Sequence, residues 1–143
     1  MPFNFFMPKP GRFGTHPVVF NSGRLNTGTL AAGTQNHNIG AYSAKSYISN
    51  AIVCADTFPT AATGCTIQLF KMTGATALAL TSAVSINAGT ADTPVLLPIT
   101  ASLTEAERSL TTANSLRVAI VTTGAVSVQP DDVTVSVELL VEE

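Results

Sequence analysis

Two histidines, two cysteines and nine carboxylates are the side chains from which this 143-residue chain would have to build catalysis or a metal site. His16 and His37 both fall in the irregular first part of the chain. No HExxH, GxSxG, GxGxxG or phosphate-loop spacing accompanies them. Ten residues separate Cys54 from Cys65, with no CxxC and no histidine near, which is not a zinc pattern. A hairpin turning near Phe58-Pro59-Thr60 would set the two cysteines opposite each other, so a disulfide is geometrically open. A reducing cytosol disfavours it, and two small buried residues are the expectation. Asp131 and Asp132 form a carboxylate pair, but the preceding Pro130 marks them as turn formers. Glu105 and Glu107 sit in the first turn of a short helix, where capping and the helix dipole account for them. Asp56 and Asp92 lie in loops without the DxDxDG spacing of a calcium site. The residues therefore point to no enzyme, no cofactor, and no metal site.

Composition narrows the class further. Hydrophobic residues make up 45% of the chain, enough for a core. Charged residues make up 11%, against about 25% in an ordinary soluble domain. Threonine, serine, asparagine and glutamine must supply the polar surface, which suits a half-buried pleated sheet better than surface helices. The net charge of −2 argues against nucleic acid as a partner. Its distribution is uneven. No acid precedes Asp56, whereas Asp131, Asp132, Glu138, Glu142 and Glu143 follow Gln129 with no base among them. A basic first part that meets an acidic neighbour is one reading, and chance in a charge-poor chain is the other. No segment approaches the roughly 18 apolar residues of a membrane span, so no membrane partner is expected. The apolar start precedes its basic residues and is broken by proline, unlike a secretory signal, so the chain is expected to be made in the cytosol and to stay there or leave without the secretion pathway.

The elements that would position any site are strands. In DVTVSVELLVE, Val133, Val135, Val137, Leu139 and Val141 alternate with polar residues, the period of a strand with one buried face. NSLRVAIVTTG places Leu116, Val118 and Ile120 inward, and TTGA turns it towards the short VSVQ. SYISNAIVCAD, GCTIQLFKM and ATALALTSAVSI are three more strands bounded by turn residues. TPVLLPIT, flanked by Pro94 and Pro98, belongs at an edge or a strand end. TGTL and HNIGAY could add weaker strands near the start. One helix is expected in LTEAERSL, with Thr104 as N-cap and Glu107 completing a capping box over about two turns. Strands thus recur every 10 to 15 residues, which predicts an all-β fold: an antiparallel β-sandwich of about eight strands with one short helix.

Residues 1–26 stand apart as an extended N-terminal arm, and residues 27–143 form the sandwich domain. Four of the seven phenylalanines (Phe3, Phe5, Phe6 and Phe13) lie in the arm's first thirteen residues, among prolines that exclude a helix or central strand. With Lys9 and Arg12 they form a candidate docking set for a partner surface or a neighbouring subunit. The alternative is that the arm folds back over an edge of its own sandwich. Because the strands of the core begin later, deleting residues 1–20 is expected to leave the sandwich folded.

The body from NHNIGAYSAKSYISNAIVCADTFP to LRVAIVTTGAVSVQPDDVTVSVELLVEE resembles small head proteins of tailed bacteriophages, including capsid decoration, or cement, proteins. The likeness spans about the last 110 residues and rests on texture: Thr/Ala/Gly-rich strands, the capped turn and strand of LTEAERSLTTANSLRVAIVTTGA, and the valine-rich last strand. It implies a jelly-roll-like sandwich, often trimeric, on the virion's capsid surface, with the major capsid protein and further copies of itself as partners. The arm matches no motif of that family. A carbohydrate- or receptor-binding module of a virion fibre or cell-surface protein is the alternative. Sugar faces are usually gripped by exposed aromatic rings, and this chain has no Trp and only Tyr42 and Tyr47.

Overall fold

Residues 16–41 and 44–142 are described by a computed structural model. Twelve strands and one helical turn follow in chain order: β1 (His16–Arg24), β2 (Gly33–Gly40), β3 (Ser46–Cys54), β4 (Thr60–Ala61), β5 (Gly64–Thr73), β6 (Thr76–Ala79), β7 (Val84–Ser85), β8 (Val95–Leu96), α1 (Glu105–Arg108), β9 (Ser109–Leu110), β10 (Asn114–Thr123), β11 (Val126–Val128) and β12 (Thr134–Val141). One sheet runs β1-β12-β3, with β8 and β9 both on the far edge of β3. The other runs β2-β10-β5, with β6 and β7 both on the far edge of β5. Counting β6 with β7 and β8 with β9 as one interrupted strand each leaves eight ladder positions. All are antiparallel, and successive strands alternate between sheets except at the β5–β6/β7 hairpin, which is the order of a jelly roll. The expected antiparallel sandwich is the observed fold.

The core lies where the inner faces meet. Along β12 the odd-numbered residues Val135, Val137, Leu139 and Val141 are buried, with Val133 just before them. Leu116, Val118 and Ile120 of β10 face them, with Ile67 and Leu69 of β5 alongside. Strand β3 changes parity midway: Ile48 points inward on an even number, Ala51 and Val53 on odd ones. A bulge is the cause. Glu138 pairs with Asn50 and Leu139 with Ile48, leaving Ser49 as the extra residue. Its hydroxyl donates to the Glu138 carboxylate at 2.6 Å, which secures the irregularity.

Three local findings refine the reading of the sequence. ATALALTSAVSI is broken into β6 and β7, and the buried Thr81 fills the break. Its hydroxyl accepts from the Leu69 amide at 3.1 Å, and its carbonyl accepts from the Gln68 side chain at 2.8 Å. VSVQ pairs not with β10 but with β4, in a separate two-stranded sheet. The short 27–30 segment forms no strand. Leu30 is held instead by the Gln129 side chain, which accepts from its amide and donates to its carbonyl.

The cysteines do not face each other, because β3 and β5 belong to different sheets. Cys65 is buried, Cys54 is half-buried, and both are free. Burial pushes the Cys65 thiol up, and its sulfur lies 3.6 Å from the Thr122 hydroxyl.

Residues 16–24, included in the arm when the sequence is read alone, form β1 and pair along β12 from His16–Val141 to Arg24–Thr134. Val18 and Phe20 of this strand pack on the core. A cut after residue 20 would remove half of a ladder strand, so a cut that spares β1 falls after residue 15.

Candidate interaction surface

The carboxylates are engaged in structure. The Thr104 amide donates to Glu107 at 2.7 Å, and the Glu107 amide donates back to the Thr104 hydroxyl at 3.3 Å. The capping box is thus present, on one helical turn rather than two. The Thr104 bonds hold the Glu107 carboxyl below the ordinary carboxylate range. A carboxyl lowered on folding stabilises the native state above its unfolded pKa. That contribution fades as the pH falls through its folded value. Thr104→Ala should cost about 1 kcal/mol in chemical denaturation and return the Glu107 titration, followed by NMR, to the ordinary range. Unchanged values of both would contradict the cap's role.

At the other end of the helical turn, Lys71 donates to the carbonyls of Ala106, Glu107 and Ser109 at 3.2, 3.3 and 2.6 Å. Burial lowers its pKa, yet three carbonyls at a helix C-terminus are what an ammonium needs there.

Asp131 closes a turn against Thr57, the two exchanging backbone hydrogen bonds at 2.9 and 3.2 Å. The Arg24 guanidinium lies 2.6 Å from the Asp131 carboxylate and 3.8 Å from that of Asp132. Asp56 stands near this group, its pKa raised by desolvation first and then by the charges of Asp132, Asp92 and Asp131. Lys45 meets Glu142 at 3.1 Å. The basic first part and the acidic last part of the sequence therefore meet inside one chain, at Arg24–Asp131 and Lys45–Glu142. Among the described residues no group of three or more His, Cys, Asp or Glu side chains is arranged to hold a metal ion. His37 is lowered by burial, and its Nε2 is buried without a hydrogen-bond partner among the described residues. Val118 of β10 stands opposite it. No helix among the described residues is long and apolar enough to cross a membrane.

The aromatic side chains are poorly placed for a sugar. Tyr47 is buried, and its hydroxyl donates to Glu142 at 3.2 Å. Tyr42 lies outside the described residues. Phe70 stacks with Arg117, whose guanidinium carbon is 5.4 Å from the ring centre.

All six predicted docking residues, Phe3, Phe5, Phe6, Lys9, Arg12 and Phe13, lie outside the described residues. What the structure adds is a surface beside the point where they join the fold. On the outer face of the β1-β12-β3-β8 sheet, one register row holds Val19, Glu138 and Asn50. The next row holds Asn21, Ser136, Ile52 and Leu96. Val19 is 65% exposed and Leu96 53%. The small Ser136 leaves a shallow cavity of about 120 Å³ between its larger neighbours, lined by Val19, Asn50, Ala51, Ile52, Ser136 and Glu138. This surface is hard to see in the sequence, where residues 16–24 look like part of the arm. The alternation of Val18, Val19 and Phe20 was its one signal, giving one residue to the outer face and two to the core.

No family model matches the chain, and no curated protein does. Among solved structures, the chain is similar to one from infectious bursal disease virus, Gx strain, at 15% identity and a TM-score of 0.39. That match covers 89% of this chain and 32% of the other. A second similar chain comes from the Gt strain of the same virus, at 14% identity and a TM-score of 0.36, covering 89% of this chain and 31% of the other. This chain thus spans about a third of the length of those it matches.

Proposed function

We propose that this protein is a non-enzymatic structural component of a virion, which binds the outer surface of a bacteriophage capsid and decorates or cements it. The observation that carries this reading is the division of labour at residue 16. Every ladder position of the jelly roll is filled from His16 onward. Residues 1–15, which lie outside the described residues, hold four phenylalanines, two cations and no acid. A rigid, charge-poor body bearing an apolar, basic arm suits attachment to a larger shell. Burying one phenylalanine ring contributes roughly 1.5–3 kcal/mol before ordering costs, and repetition over several chains raises avidity. The major capsid protein is the partner in this reading, the host cytoplasm the place of synthesis, and the capsid surface the final location.

A homotrimer is the assembly that the resemblance to phage decoration proteins implies, and few charges would have to be desolvated when the flanks of such sandwiches meet. Light scattering at tens of micromolar should return the mass of three chains. A monomer at that concentration, both free and on capsids, would contradict it. The reading as a whole is tested by mixing purified protein with undecorated phage heads. Saturable co-sedimentation supports it. No binding to heads, combined with retention on a glycan array, would overturn it in favour of a sugar-binding module.

A further inference from the structure

We infer that the groove over Ser136 is a receptor for one arm phenylalanine of a neighbouring copy of this chain, so that each subunit straps the next. The inference deepens the proposed function, because it rests on the arm being an interaction segment.

Size is the first argument. The cavity measures about 120 Å³ and has the outward-facing Val19 and Ile52 among its walls. Apolar cavities near 150 Å³ accept a benzene molecule, so this one suits a single phenyl ring lying partly open to solvent. Charge is the second. Glu138 stands on the groove's rim, while the arm carries Lys9 and Arg12 and no acid. A ring in the groove would bring one of these cations beside the Glu138 carboxylate. Chain length is the third. Residues 1–15 precede His16, which pairs with Val141 at the end of the sheet. Ten extended residues span at most about 36 Å, so Phe3, Phe5 or Phe6 can cross to an adjacent subunit.

The geometry at His16 favours the neighbour over the chain's own groove. His16, extended before Pro17, lies three residues from Val19, so a ring of the same chain could enter its own groove only through a chain reversal ahead of β1, whereas a neighbour's arm needs none. One groove takes one ring, and the remaining phenylalanines of each arm are left for the shell.

The test uses the full chain without capsids. Val19→p-benzoylphenylalanine places a photoreactive ring at the groove, where 65% exposure makes the change compatible with folding. Heavy and light isotopic copies are mixed, irradiated and digested. Heavy-to-light cross-links between the β1 peptide and residues 1–12 are expected. Cross-links only within one copy, or none to residues 1–12, would overturn the proposal. A second variant, Val19→Lys, which sets a cation opposite Glu138 and against the arm's Lys9 and Arg12, should raise the dissociation constant for self-association at least tenfold with no loss of melting temperature. An unchanged constant would also overturn it. Capsid co-sedimentation of the same proteins separates this outcome from failure of the capsid-binding reading, because a protein can bind heads without strapping its neighbour.

Discussion

Val137→Asp is expected to abolish folding. Val137 is fully buried in the middle of β12, between Phe20 on β1 and Ala51 on β3. An aspartate there loses the packing of a branched side chain and places a carboxylate where no cation is within reach of the register. Such a substitution costs about 4–5 kcal/mol or more, comparable with the about 5–15 kcal/mol that holds a domain together. One position along, the side chain projects from the opposite face. Glu138→Lys should shift stability by no more than about 0.5 kcal/mol. Circular dichroism melts of the two variants check the pair, and identical melts would mean that the register of β12 is wrong by one residue.

Deleting residues 1–24 is expected to be as damaging, while deleting residues 1–15 is expected to leave the melting transition in place. The longer cut removes Val18 and Phe20 from the core and strips β12 of its partner over eight residues. Burial of two such side chains contributes about 3 kcal/mol or more, and an uncovered central strand invites aggregation. The shorter cut leaves every described ladder residue in place. Comparable melts of the two truncations would contradict the assignment of β1 to the sheet.

Most of the sandwich is legible in the sequence because alternation is strong wherever one face is buried and the other wet. β12 and β10 show this residue by residue, and Thr104 with Glu107 announces the helical turn. What escapes is governed by contacts distant in sequence. β1 carries only one short stretch of alternation and ends in the polar run Asn21-Ser22-Gly23, so composition hides an edge strand whose order comes from pairing with β12, more than a hundred residues away. The parity change in β3 comes from a bulge at Ser49 that no period reveals. The cysteine pair shows the same limit: a local hairpin is the natural guess for two nearby strands, yet a jelly roll sends them to opposite sheets. The candidate surface was half legible. Phenylalanines set among prolines raise the expectation of an interaction segment, but the groove over Ser136 exists only once β1, β12 and β3 lie side by side.

The measurement that tests the account most directly is co-sedimentation of the full chain and of residues 16–143 with undecorated capsids, across a concentration series. The account predicts that the truncated protein stays folded and binds at least tenfold more weakly, since losing one buried ring removes more than the 1.4 kcal/mol that a factor of ten represents. Charge reversal at Lys9 and Arg12 should weaken binding less, and its effect should fade in high salt, where exposed charges are screened. Folded truncated protein that binds capsids as tightly as the full chain would contradict the account and move the contact to the sandwich itself.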